Sequence, residues 1–205
     1  MSVFVRVLMT LLTMIVGAAQ AFAEQQVTVT TDHCRPQIGA TIGATGHGDR
    51  NAGRSMYRDN PGSSALDTAA SFELPVSDGL GARLDVGTAA WTFQSRDPWG
   101  APLVRDRVRV GRVTLSFVKI ERCGSPVQGH AGIGLGAYRY HFGDFEVNRT
   151  RAGAHGFIGF DVTMSERVAI TTDFAVHVIA GPSQPPVFSY ALWVIRASVG
   201  ARFRF

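Results

Sequence analysis

From Ala191 to the terminal Phe205, every second residue is apolar. Trp193, Ile195, Val199, Phe203 and Phe205 share one face with Ala191, Ala197 and Ala201, while Arg196, Ser198, Gly200, Arg202 and Arg204 share the other. Successive side chains of an extended strand point to opposite sides, so this stretch is a strand with one wholly apolar face. No helical period of useful length competes with it. The same alternation recurs upstream in segments of about ten residues broken by Gly, Pro, Asp and Ser. Apolar faces run along 38–44, 66–76, 80–86, 113–117, 131–137, 154–164 and 168–178. Opposite them stand Asp67, Glu73, Arg83, Asp85, Arg112 and Thr114, then His130, His155, Asp161, Asp173 and His177. With the last segment, that makes eight candidate strands.

The connections alternate in length. Residues 77–79 and 165–167 are tight hairpin turns, and 121–127 is slightly longer. Residues 45–65, 94–106, 141–150 and 181–189 are expected as long polar loops. Short turns at one end and long loops at the other suit a barrel that crosses a membrane.

The N-terminus reads as a targeting segment. Residues 1–6 carry Arg6, residues 7–18 are apolar and uncharged, and Ala21, Phe22 and Ala23 give the small-x-small pattern of a cleavage site. The expected organisation is a signal peptide over 1–23 and one domain over 24–205. The apolar run falls short of the roughly 20 residues of a spanning helix, and no Cys follows the cleavage site to carry a lipid. The net charge of +4 lies in scattered Arg residues, with no basic cluster dense enough for nucleic acid. The two cysteines, Cys34 and Cys123, allow one disulfide in an oxidising compartment. It would pin the segment before the first strand to a turn at the short-turn end.

A soluble barrel also alternates, but with its apolar face inward. Here the polar face is rich in Gly, Ser and Thr with scattered charges, which suits a narrow lumen. The unbroken apolar face of the last strand suits lipid. Trp91, Phe93, Tyr138, Tyr140, Phe142, Tyr190 and Trp193 gather near the long-loop ends, as an interfacial aromatic girdle would. Lipid offers no water to free strand edges, so the sheet must close. The expected fold is all-β: a closed up-and-down antiparallel transmembrane β-barrel of eight strands.

The alternating strand ending in Phe205 and the hairpin over 156–170 resemble the small eight-stranded outer-membrane barrels of the OmpA, OmpX and OmpW type. The resemblance covers the whole mature sequence. It implies a Gram-negative cell outer membrane location and contact with outer-membrane lipid and lipopolysaccharide. It also implies that Phe203 and Phe205 form an assembly signal read by the barrel-assembly machinery. Such barrels serve adhesion, envelope support and small-solute passage, and a few modify lipids, so fold does not assign function.

Four constellations bear on chemistry. Gly132, Gly134 and Gly136 are spaced unlike a nucleotide loop and fit lumen packing instead. His155 falls opposite His177 across the 165–167 turn, without an evident third metal ligand. The lipid A deacylases use a His and a Ser on one strand. Their His-x-Ser-Asn motif is missing here, and the nearest pair is His177 with Ser198. The last constellation is a set of lumen charge pairs: Glu73 with Arg83, His130 with Asp161, and Asp173 with Arg196. The reading is a non-enzymatic barrel without cofactor or metal. Its lumen is closed, its role is structural or surface-interacting, its surface ligand is unidentified, and it has no nucleic-acid partner. A narrow solute channel is the alternative, followed by a lipid-modifying enzyme.

Overall fold

The computed structural model describes residues 34–49, 65–77, 79–96, 102–121, 123, 125–142, 147–180 and 191–205, with side chains except at 47–49, 91–96, 102–107, 142, 147, 191 and 192. Eight strands follow in order: β1 (Gln37–Asp49), β2 (Ala65–Ser77), β3 (Leu80–Arg96), β4 (Pro102–Glu121), β5 (Val127–Phe142), β6 (Val147–Thr163), β7 (Val168–Ala180) and β8 (Ala191–Arg204). Each pairs antiparallel with its neighbours, and β1 closes on β8 through pairs such as Ile38 with Phe203. Closure leaves no free edge, so every strand has two hydrogen-bonded neighbours.

The 1–23 signal segment lies outside the described residues, as do 50–64, 97–101, 143–146 and 181–190. The expected loop 45–65 loses 45–49, since β1 runs on to Asp49, and two further expected long loops are corrected. β3 and β4 run on to Arg96 and from Pro102, and β5 and β6 run on to Phe142 and from Val147. Only 97–101 and 143–146 remain as connections. Pairing simply continues past the apolar belt, because polar side chains satisfy a two-stranded ladder as well as apolar ones do. The 154–164 segment is also trimmed, since β6 stops at Thr163 and Met164 turns.

At the short-turn end, Gly79 takes a left-handed φ of 73°, which a side chain would resist. Its carbonyl accepts a 2.8 Å bond from the Ile120 amide, tying the β2–β3 turn to β4. The β6–β7 turn is held by Ser165, whose hydroxyl accepts from the Val168 amide at 3.1 Å.

Burial follows the alternation. On β2, inward Asp67, Ser71 and Glu73 are buried while outward Leu66, Phe72 and Leu74 are exposed. The lumen takes the place of an ordinary core.

Candidate functional site: the barrel lumen

Two apolar clusters and an ionic network fill the lumen. Near the long-loop end, Val108, Val110, Tyr138, Tyr140, Ile179 and Val194 pack into an apolar cluster. Toward the short turns, Val118, Ile120, Phe157 and Ala175 form a second one, with the Cys34–Cys123 disulfide packed against it. The half-cystines have Cα atoms 5.3 Å apart, within the usual range of such bridges.

An ionic network runs alongside this second cluster at the short-turn end and up toward the first. Arg83 on β3 donates from Nη2 to Asp173 Oδ2 on β7 at 2.9 Å, and from Nε to Asp85 at 3.0 Å. Its guanidinium also stands 4.7 Å from the Phe157 ring centre. His130 Nε2 donates to Asp173 Oδ1 at 2.6 Å. Arg202 donates to Asp161 at 3.1 Å and lies 3.5 Å from Glu73, which also accepts from Gln37 at 2.6 Å. Farther up, Asp67 is fully buried and holds two arginines. Arg112 bonds both its oxygens, and Arg196 Nε is 2.8 Å from Oδ1. The buried charges are Asp67, Glu73, Asp85, Asp161 and Asp173 against Arg83, Arg112, Arg196 and Arg202. His130 sits between Asp161 and Asp173, where an imidazolium would balance the set. A buried charge is tolerable only when paired, and this network pairs them.

Two histidines farther up also find partners. His155 and His177 stack with ring centres 5.3 Å apart. Ser116 Oγ lies 2.8 Å from His155 Nε2, and the Tyr138 hydroxyl bonds His177 Nδ1 at 2.9 Å. The glycine run makes room for them: a Cβ on Gly134 would come within 2.8 Å of the His155 ring. The cavity enclosed among Arg83, Asp85, Arg112, His155, Asp173 and His177 is about 10 Å³, room for one water at most.

The outer surface reverses the usual polarity. Phe117 is 80% exposed, Ile133 72% and Leu135 71%, while Arg83 and Asp173 on the inside are nearly sealed. An apolar exterior around an ionic interior is stable only in lipid. Among solved structures, the chain is similar to Neisserial surface protein A (NspA), with TM-score 0.59 and 13% identity over 83% of this chain and 97% of that one. It is also similar to the outer membrane protein OprG from Pseudomonas aeruginosa, with TM-score 0.58 and 15% identity over 84% and 97%. A third is Ail, the attachment invasion locus protein of Yersinia pestis, solved in complex with the heparin analogue sucrose octasulfate. There the TM-score is 0.52, with 12% identity over 85% and 100%. This chain has the fold of the small eight-stranded outer-membrane barrels. No family model matches it, and no curated protein does.

Within this barrel the sequence-derived pairs regroup. Glu73 does stand across from Arg83 in the register, but their side chains part. Glu73 turns to Gln37 and Arg202, and Arg83 turns to Asp85 and Asp173. Asp173 bonds Arg83 and His130 rather than Arg196, whose carboxylate is Asp67. His130 lies 3.7 Å from Asp161 but makes its short bond to Asp173. Adjacent-strand reasoning misses these choices because an Arg side chain spans a narrow lumen.

The aromatic girdle is corrected as well. Tyr138 and Tyr140 are buried inside, and the side chains of Trp91, Phe93, Phe142 and Tyr190 lie outside the described residues. Exposed outward aromatics sit instead toward the short-turn end, at Phe72, Phe117, Phe203 and Phe205, with Phe174 midway along β7 and Trp193 at the other end. Phe203 and Phe205 stack edge to face, 5.7 Å between ring centres.

The His177–Ser198 pairing does not form. His177 stands across from Val194, and Ser198 from Asp173. The serine and histidine that do meet are Ser116 and His155. Their inward parity is readable in sequence, but their proximity across β5 is not. No cluster of three potential metal ligands occurs among the described residues.

Proposed function

We propose that this chain is an outer-membrane barrel with a closed lumen and a structural or surface-interaction role. On this reading it is exported by a cleaved signal peptide over 1–23 and inserted by the barrel-assembly machinery through Phe203 and Phe205. The observation that carries it is the filling of the lumen by buried side chains. Among the described residues, two apolar clusters and an ionic network pack it, and the cavity among Arg83, Arg112, His155 and Asp173 is about 10 Å³. A continuous water column needs far more space, which argues against the channel reading. The same sealing argues against catalysis at Ser116 and His155, since an ester could not reach the hydroxyl. What remains available to partners is the exterior: lipid along the wall, and the long-loop end above it.

Planar-bilayer recording of the refolded mature chain tests this reading. We expect no steady conductance. Large, stable single-channel currents would overturn the closed lumen and favour a channel.

A further inference from the structure

Three buried polar atoms without a protein partner belong to residues around one cavity. Among the described residues, His155 Nδ1, His177 Nε2 and Arg112 Nε are sealed from solvent and make no hydrogen bond within the protein. All three residues line the cavity of about 10 Å³ inside the lumen, together with Asp85 and Ala175. The side chains are deeply placed: His155 is 7% exposed, His177 3% and Arg112 6%. Buried polar atoms forfeit the hydrogen bonds they made in water unless something replaces them, so three such atoms around one space point to an occupant.

The opposite ring nitrogens fix where the histidine protons sit. Ser116 Oγ lies 2.8 Å from His155 Nε2, and the Tyr138 hydroxyl lies 2.9 Å from His177 Nδ1. A neutral imidazole that accepts from a hydroxyl at one nitrogen carries its proton on the other. With both hydroxyls donating, His155 presents an N–H at Nδ1 and His177 an N–H at Nε2. Arg112 Nε is a donor in every state, and its two Nη atoms are already spent on Asp67. The occupant must therefore supply lone pairs.

It must also tolerate carboxylates. Asp85 and Asp173 line the same cavity. Asp173 is engaged at both oxygens, by Arg83 and His130, whereas Arg83 meets Asp85 at Oδ1. A carboxylate accepts up to about four hydrogen bonds, so Asp85 has capacity for a donor in the cavity. Two carboxylates repel an anion, and the N–H groups repel a cation. Water both accepts and donates, and a volume of about 10 Å³ is room for one.

We propose that a single water is bound in this cavity, accepting from His155 Nδ1–H and His177 Nε2–H and donating to the Asp85 carboxylate. Three hydrogen bonds is the usual number for a buried water. The site completes a chain that runs from Ser116 on β4 through His155 on β6, the water and His177 on β7 to Tyr138 on β5. Four strands are then tied together inside the lumen by one solvent molecule. The inference rests on the closed lumen proposed above, because a water in an open column is not a bound one.

The test uses the mature chain refolded in detergent. A crystal structure that shows ordered solvent should have one peak within hydrogen-bond reach of His155 Nδ1, His177 Nε2 and Asp85. ¹⁵N spectra of histidine-labelled protein should show His155 as the Nδ1–H tautomer and His177 as the Nε2–H tautomer, a readout that needs no variant. A175S, whose hydroxyl enters the same space, should displace the peak. An empty cavity in a sealed lumen, the reverse tautomer at either histidine, or a peak that A175S leaves unmoved would each overturn the inference and leave the closed lumen standing. So would an anomalous bromide signal at that position in bromide-soaked crystals, which would make the occupant an anion. A continuous file of waters through the barrel would overturn the closed lumen, and this inference with it.

Discussion

Arg83 on β3 and Asp173 on β7 face each other across the lumen, 90 residues apart in sequence, and their side chains meet at 2.9 Å. This contact joins opposite walls of the barrel, whereas the hairpin ladders join only neighbours. It also links the Asp85 carboxylate and, through Asp173, His130 and Arg202. The lower interior is thus one connected polar network, with Asp67, Arg112 and Arg196 forming a second group above it.

Replacing Arg83 by Ala leaves the buried Asp85 carboxylate without its arginine and takes from Asp173 one of its cationic neighbours. The expected loss is about 3–5 kcal/mol of unfolding free energy. Urea titration in micelles, followed by tryptophan fluorescence, measures it. A paired R83M/D85L variant should recover part of the loss, because Asp173 keeps His130 and Arg202 and no carboxylate is then left alone in that position. A single-variant loss under about 1 kcal/mol would show that the cross-lumen contact contributes little.

Asp67 should be the more sensitive anchor of the upper belt. Arg112 and Arg196 both rest on it, so D67N leaves two guanidiniums without their counter-charge. Its cost should exceed that of R196A, which removes only one of them and leaves Asp67 bonded to Arg112. The same unfolding titration ranks the two variants, and the reverse order would contradict the shared-anchor arrangement.

The Cys34–Cys123 bridge closes a span of 89 residues at the base of the barrel. Chain entropy sets its contribution at about 4.6 kcal/mol as an upper figure. Protein purified without reductant should carry no free thiols and should run faster on a non-reducing gel. C34S/C123S should still fold but unfold at lower urea. Two titratable thiols in untreated protein would refute the bridge.

Deleting Phe205 tests the assembly signal. Its amide donates to the Pro36 carbonyl at 3.1 Å, and its ring ends the lipid-facing side of β8. The deletion should lower the amount of heat-modifiable protein in the outer membrane severalfold, with little effect on refolding in micelles. Loss in both settings would assign Phe205 a purely structural role.

The sequence alone determined the strand count, the inside-out polarity, the tight turns and the cysteine bridge. The first three rest on local properties: alternation follows from strand geometry, and the turns follow from residues such as Gly79, whereas the bridge was legible because the chain holds just two cysteines. The register across short hairpins was equally legible, so His155 could be placed opposite His177. Only the tertiary structure decided which charges pair, that Tyr138 and Tyr140 plug the lumen, and that Ser116 meets His155. It also decided how far β3 to β6 extend. Those outcomes depend on closure, which brings β3 to within reach of β7 and lets a long side chain choose among several carboxylates. Alternation says which way Arg83 points; the width of the lumen and the stagger of the strands decide that it ends on Asp173.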